Sequence, residues 1–285
     1  MRFSYALAIL AFCFGGEAHA IDLDAGDCQP APPGTTLVIV YGQHIERRSE
    51  DSDADIRARF QLDTDLSLLR IAHYVDIGGV RVAPNIIIPV ARTRFKDHIG
   101  QSQTTTGVGD VILALPVWLL NSDRRGVYFG ITPYLQLPTG GYQPQRIVNI
   151  GSSRAAVTVQ AVGSARVSRK VMIDAAADVS FFGRTSRRYL GGQMSSQPGY
   201  QLQASARYFL SDGIDLRAGI SRLDGGAQTQ NAQSRPSFIQ DRIWVGTSFP
   251  ITSTINLVST VGTDLAVRNG FRENLRLHFR IMKRL

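Results

Sequence analysis

Val127-Tyr128-Phe129-Gly130-Ile131-Thr132-Pro133-Tyr134-Leu135-Gln136-Leu137 decides the fold. Its odd positions, Val127, Phe129, Ile131, Pro133, Leu135 and Leu137, are apolar, and its even positions are polar or small. A helix returns to one face every three or four residues and a strand every two, so this is a strand with one apolar face. The same period recurs over 157–161, 171–181, 200–208, 214–220 and 275–281. In the last of these, Asn274, Arg276, His278 and Arg280 fall on the polar face.

Working outward, twelve such segments begin near Thr36, Leu66, Val80, Gly107, Val127, Ala155, Val171, Tyr200, Ile214, Ile239, Thr254 and Glu273. Long connections over 45–65, 92–106, 139–154, 183–199 and 223–238, and a shorter one over 268–271, alternate with short ones at Gly78-Gly79, 121–126, 168–170, 211–213 and 250–253. A soluble sandwich also alternates apolar and polar residues, but it has no reason to alternate connection length. Short turns at one end, long loops at the other and an even strand number are the pattern of an outer-membrane barrel. No segment after the N-terminus is long and apolar enough to cross a bilayer as a helix, which leaves the closed barrel as the route across. The expected fold is therefore all-β: an antiparallel, transmembrane, up-and-down β-barrel of about 12 strands with short periplasmic turns and long extracellular loops. Two features run against the pattern. Val38-Ile39-Val40 is apolar throughout, and His73 shares a face with Ile71 and Val75. Pro84, Pro89, Pro116 and Pro133 fall inside strands, where each removes a ladder hydrogen bond unless it sits at a bulge or rim.

The N-terminus reads as export machinery. Arg2, an apolar run over 5–14 and Ala18-His19-Ala20 make a signal peptide over residues 1–20, cleaved after Ala20. Residues 21–35 are a Pro-rich periplasmic lead, either a flexible tether or a plug folded inward, and 36–285 are the barrel. The expected location is the outer membrane, with its lipids and the barrel-assembly machinery as partners. Cys13 leaves with the signal and Cys28 stays alone, so no intramolecular disulfide forms and no catalytic role is assigned. Removing 1–20 does not change the net charge of +8, because Arg2 and Glu17 leave together. There is no basic run interleaved with aromatics, so nucleic acid is not a partner. Lysine occurs only at 96, 170 and 283, so the positive charge is mostly arginine, which suits pore walls and acidic headgroups.

The polar strand face carries charges that cannot face lipid, because an Arg at the bilayer midplane costs about 2–4 kcal/mol. The expected lumen-lining residues are Arg70, Arg81, Asp110, Arg166, Asp174, Asp178, Arg207, Asp215, Arg217, Arg242, Asp264, Arg276, His278 and Arg280, with Asp76 on the same face. They form a stabilising ion-pair network, a solute-selecting wall with a mild preference for anions, or both. Twelve strands leave a narrow bore that a loop or terminus can block. The first functional reading is thus a channel or transporter for a small-molecule solute. A structural barrel and a lipid-modifying one are the alternatives. No enzyme is expected, since His44, His73, His98 and His278 stand in no spacing associated with barrel lipases. Asp51, Asp53 and Asp55 offer oxygens that suit calcium, but no Gly at the sixth position and no Glu at the twelfth follow, and no metal or cofactor is assigned.

Several punctuating motifs carry a family resemblance: Ile21-Asp22-Leu23-Asp24-Ala25-Gly26-Asp27, Pro30-Ala31-Pro32-Pro33-Gly34-Thr35, Gly107-Val108-Gly109-Asp110, Leu137-Pro138-Thr139-Gly140-Gly141-Tyr142 and Asn149-Ile150-Gly151. In order and spacing the chain resembles the outer-membrane proteins of the MetA-pathway of phenol degradation family, over nearly all of the mature chain. The resemblance implies a barrel that admits small, often aromatic or poorly soluble compounds, with no catalytic residue set to transfer. Barrels of this type usually end on an aromatic residue. This chain ends Lys283-Arg284-Leu285, with Phe279 the nearest aromatic in strand phase.

Overall fold

The computed structural model describes residues 22–51, 61–96, 101–185, 193–230 and 233–285. The expected signal peptide, Asp53, Asp55 and His98 lie outside them. Where the two-residue period runs, the backbone is extended. The strands in chain order are β1 (Thr36–Asp51), β2 (Gln61–His73), β3 (Val75–Ile77), β4 (Val80–Val82), β5 (Asn85–Lys96), β6 (Ser102–Val108), β7 (Ile112–Ala114), β8 (Val117–Ser122), β9 (Val127–Gln136) and β10 (Ala156–Arg166). They continue as β11 (Val171–Phe182), β12 (Met194–Ser196), β13 (Gly199–Ser211), β14 (Ile214–Asp224), β15 (Gln228–Gln230), β16 (Gln233–Arg235), β17 (Ile239–Pro250), β18 (Ile255–Arg268) and β19 (Gly270–Arg284).

Twelve staves make the barrel: β1, β2 with β3, β4 with β5, β6 with β7 and β8, then β9, β10, β11, β13, β14, β17, β18 and β19. Each pairs antiparallel with its sequence neighbour, and β19 closes the circuit on β1 from Leu37↔Arg284 to Asp51↔Gly270. Closure pairs the backbone amides and carbonyls around the whole ring, which a lipid environment demands. The remaining strands, β12, β15 and β16, form a small sheet within the long loops.

The burial pattern is that of a soluble protein turned inside out. Along β9, Phe129, Ile131 and Leu135 are exposed while Tyr128, Gly130, Thr132, Tyr134 and Gln136 are buried. Leu202 and Ile220 stand 60% and 56% exposed, whereas Arg207 and Arg217 are 6% and 5% exposed. An apolar outer belt around a charged interior is stable only with hydrocarbon outside. The chain is thus an outer-membrane barrel whose outer face meets lipid.

The four strand prolines mark interruptions. Pro84 lies between β4 and β5, and its carbonyl accepts from His73 N; Pro116 lies between β7 and β8, and its carbonyl accepts from Ala83 N. Pro89 sits where the partner of β5 changes from β6 to β7, and Pro133 faces the gap between β7 and β8. Each missing N–H therefore falls at or opposite a break, so the ladder loses little.

Three staves run further than the apolar period showed, starting at Gln61, Ser102 and Gly270. Their extensions stand at the long-loop end, where the outward face is charged rather than apolar. Beyond Val90, for example, Arg92, Arg94 and Lys96 follow, and Arg94 pairs with Asp65 at 2.9 Å. One expectation is overturned. Asn274 is exposed and Glu273 is buried, because a register shift where β1 meets β19 at Glu46–Arg47 reverses the phase before Leu275.

Candidate functional site

The lead folds inward. It leaves β1 at the short-turn end, where Gly34 N donates to Tyr74 O and Thr36 pairs with Leu285. It then climbs inside the barrel through two consecutive turns, Asp27 N to Asp24 O and Gln29 N to Gly26 O. Gly26 adopts φ +102°, a backbone conformation that L side chains rarely adopt, which favours glycine there. The climb ends at Asp22, beside Gln201 and Arg242 near the long-loop ends of β13 and β17. Of a free tether and an inward-folded segment, the structure shows the second.

Interior side chains hold this segment along its length. Arg217 donates to Ala25 O (3.1 Å), Trp118 Nε1 to Cys28 O (2.8 Å), Arg207 to Gln29 Oε1 (2.9 Å), and Arg81 to Ala31 O. Asp174 accepts from Gly26 N at 3.1 Å and also pairs with Arg207. Three lead carboxylates meet a ladder of basic groups. Asp27 pairs with Arg70 (3.4 Å) and Arg280 (2.5 Å), Asp24 with Arg280 (2.9 Å) and His278 (3.4 Å), and Asp22 with Arg242 (2.9 Å) and Arg276 (3.1 Å). Burial alone would raise the Asp24 pKa, but Arg280 and then His278 hold it below the usual carboxylate range. Asp22 is likewise lowered, against its burial, by Arg242 and Arg276. Cys28 is fully buried against Val162, Ala176 and Leu23; burial, then Asp174 and Asp27, push its thiol pKa up and make it unreactive.

The other charges expected on this face fall into separate groups. Asp215 and Arg217 form a two-pronged pair on β14, both contacts 2.8 Å. Asp178 accepts from Gln160 and Asp264 from Gln240. Asp76 pairs with Arg81 at the short-turn rim. Arg166 stands exposed at the same rim with its guanidinium over Phe209. Asp110 belongs to a different construction. It sits between β6 and β7, buried, and accepts from Gly140 N (2.7 Å), Ser152 N (2.8 Å) and Gln136 Nε2 (3.0 Å). These bonds fasten the loop after β9 across the interior wall. Gly140 and Gly151 pack backbone to backbone there: a Cβ on Gly140 would meet Gly151 Cα at 2.7 Å.

Beside the lead, from Asp27 up past Asp22, runs a cavity of about 840 Å³, within the ~300–1,000 Å³ range of small-molecule sites. One side is basic, with Arg47, Arg242 and Arg276 gathered on Glu273 at 2.8, 3.3 and 2.9 Å. The adjoining part of the wall is apolar: Leu66 and Leu68 of β2, and Ile87, Pro89 and Ala91 of β5, face inward, joined by Val148 and Ile150 of the fastened loop. Lower down, Leu37, Ile39, Tyr41, Tyr74 and Trp118 form an interior cluster against which Ala31 packs. The continuous Val38-Ile39-Val40 run follows from this: Val40 faces lipid and Ile39 faces the cluster.

A family model described as "Putative MetA-pathway of phenol degradation" matches residues 46–281. The chain belongs to this family. Among solved structures, an outer membrane channel from Pseudomonas putida F1 is similar at 25% identity and a TM-score of 0.86, covering 93% of this chain and 100% of that one. The β domain of the Bordetella autotransporter BrkA (9% identity, TM-score 0.55, covering 89% and 100%) shares the fold alone. So does the translocator domain of NalP from Neisseria meningitidis (11%, 0.53, 98% and 97%). A comparison with curated proteins finds no match.

The motifs that carried the phenol-degradation family resemblance turn out to be structural joints. Gly109-Asp110, Gly140 and Gly151, far apart in sequence, meet at one knot, and Asp22 to Asp27 are the docking face of the lead. Sequence reasoning missed Arg47 and Glu273, whose phase depends on the β19 register shift, and it missed the lead carboxylates as ligands of the wall. The Asp-x-Asp-x-x-Asp spacing of 22, 24 and 27 was a signal for the latter, since it matches acids to a basic interior.

Proposed function

We propose that the protein is an outer-membrane channel for small organic solutes whose lumen is obstructed by its own lead. The observation that carries this reading is the cavity beside the docked lead, walled by arginines of β1, β17 and β19 and by apolar side chains of the adjoining β2 and β5. Such a chamber suits a solute with an apolar body and a polar or charged end. The family's association with phenol degradation and the similarity to a channel support small aromatics as a solute class. The charged residues that reach the interior then act twice. They hold the lead while the barrel is closed, and they line the path when it is open. With cleavage after Ala20, Asp22 at the top of the docked lead is the second residue of the mature chain. The barrel reaches the membrane through the assembly machinery and carries no catalytic centre.

The test is solute flux into proteoliposomes that contain the refolded mature chain, comparing small aromatics, sugars and inorganic ions. Flux of small aromatics above that of sugars is the expected result. Equal flux of all three makes the barrel a general pore. No flux from a folded barrel, together with esterase or deacylase activity on lipid, replaces the channel by a lipid-modifying enzyme.

A further inference from the structure

We propose that the basic ladder of Arg70, Arg280, His278, Arg276 and Arg242 is a binding track for small organic carboxylates, and that such solutes open the barrel by taking the places of Asp22, Asp24 and Asp27. This rests on the channel reading and adds to it a ligand class and a trigger.

The geometry points to competition. Arg276, His278 and Arg280 follow one another on the inner face of β19, so their Cα atoms rise in steps of about 6.8 Å. Arg70 flanks this file on β2, and Arg242 flanks it on β17. Against them the lead presents side-chain carboxylates at 2.5–3.4 Å. A free carboxylate offers the same two oxygens to the same guanidinium fork. Not every donor of the track is well used: Arg280 Nε is buried without a hydrogen bond, and Arg242 Nε and His278 Nε2 meet Glu273 and Asp24 at 3.3 Å and 3.4 Å without hydrogen-bond geometry. Buried cations left without counter-charges are costly, so simple withdrawal of the lead is opposed. A carboxylate solute removes that cost by neutralising the track, and a neutral solute does not. Beside the track, Leu66 and Leu68 on β2 and Ile87 on β5 receive the apolar remainder of the solute. A ligand shifts an equilibrium only by its difference in affinity for the two states. Here the difference arises because the lead and the solute claim the same groups, so a bound solute disfavours the docked state.

Cys28 reports the position of the lead. It is fully buried when the lead is docked, and Cys13 is the only other cysteine in the sequence. The experiment labels the full chain carrying Cys13→Ser with a membrane-impermeant maleimide, in proteoliposomes at constant ionic strength. The probes are sodium benzoate and its neutral counterpart benzyl alcohol. Benzoate is expected to speed labelling several-fold and saturably, and benzyl alcohol to leave it unchanged. The double variant Asp22→Asn/Asp24→Asn should label fast from the start and gain little from benzoate. Should that variant misfold, the titration on the Cys13→Ser chain decides alone. Labelling that ignores benzoate, or that rises equally with benzyl alcohol or with chloride, overturns the proposal. Flux of aromatics with no benzoate effect on Cys28 overturns the track and leaves the channel standing. A benzoate effect without flux of any solute upholds the track and overturns the channel.

Discussion

At the residue scale, the sequence period identified the side of the sheet to which a charge belongs, but not its partner. Alternation alone put Asp174, Arg207, Asp215 and Arg217 on the face that the fold buries. It could not reveal that Asp110 would leave its strand and tie down a loop, because that depends on where β6 ends and β7 begins. Nor could it place Glu273, whose phase is set by pairing with β1 rather than by its own strand. Asp110 makes a sharp test. Its carboxylate takes two backbone N–H groups and a Gln136 amide in a buried site, and bonds to a charged acceptor are worth about 1.5–3 kcal/mol each. Asp110→Ala also strands the donors it served. A loss of roughly 3 kcal/mol in urea unfolding is expected, with protease sensitivity appearing first between 137 and 155. Unchanged sensitivity in that loop would show that Asp110 does not fasten it.

At the element scale, strand positions were legible wherever one face was apolar, because lipid sets a strict limit on that face. Starts at Thr36, Val80, Val127, Val171, Ile214 and Ile239 agree with the structure to the residue. Legibility failed where the strands rise out of the lipid belt, since the selection for apolar residues stops there, as at Arg92, Arg94 and Lys96. It failed differently for the lead. A segment that is neither helix nor strand has no period, and its conformation is dictated by the wall it meets. The lipid rule can be tested by contrasting neighbours on β13. Leu202 faces outward and Gln203 inward. Leu202→Arg should cost about 2–4 kcal/mol near the midplane, and Gln203→Arg much less. The two are compared by denaturant titration of the barrel folded in lipid vesicles. Equal costs would mean that the outer face assigned to Leu202 is not in hydrocarbon.

At the scale of the whole molecule, closure and occlusion are separate achievements. The twelve staves close through backbone pairs between neighbours, ending with β19 on β1; of the lead only Gly34 and Thr35 join them, through Tyr74, and residues 22–29 take no part in that ring. The lead is attached by side chains of the wall, mainly through ion pairs and arginine contacts to its carbonyls. Removing residues 22–29 therefore leaves the ladder of the barrel complete, and the truncated chain should still show the heat-dependent gel migration of a folded barrel. What changes is the interior. Cys28 and the three docked aspartates depart, and Arg70, Arg242, Arg276 and Arg280 lose lead carboxylates while Glu273 remains as a local counter-charge to Arg242 and Arg276. An opening with positive excess along one wall favours anions. In planar bilayers the truncated barrel is expected to conduct at least several-fold more than the intact chain, with a reversal potential in a KCl gradient displaced toward that of chloride. Conductance equal to that of the intact chain would place the barrier elsewhere, at the loop held by Asp110. Raised conductance with preference for potassium would show that Glu273 and the wall aspartates, not the ladder, set the field.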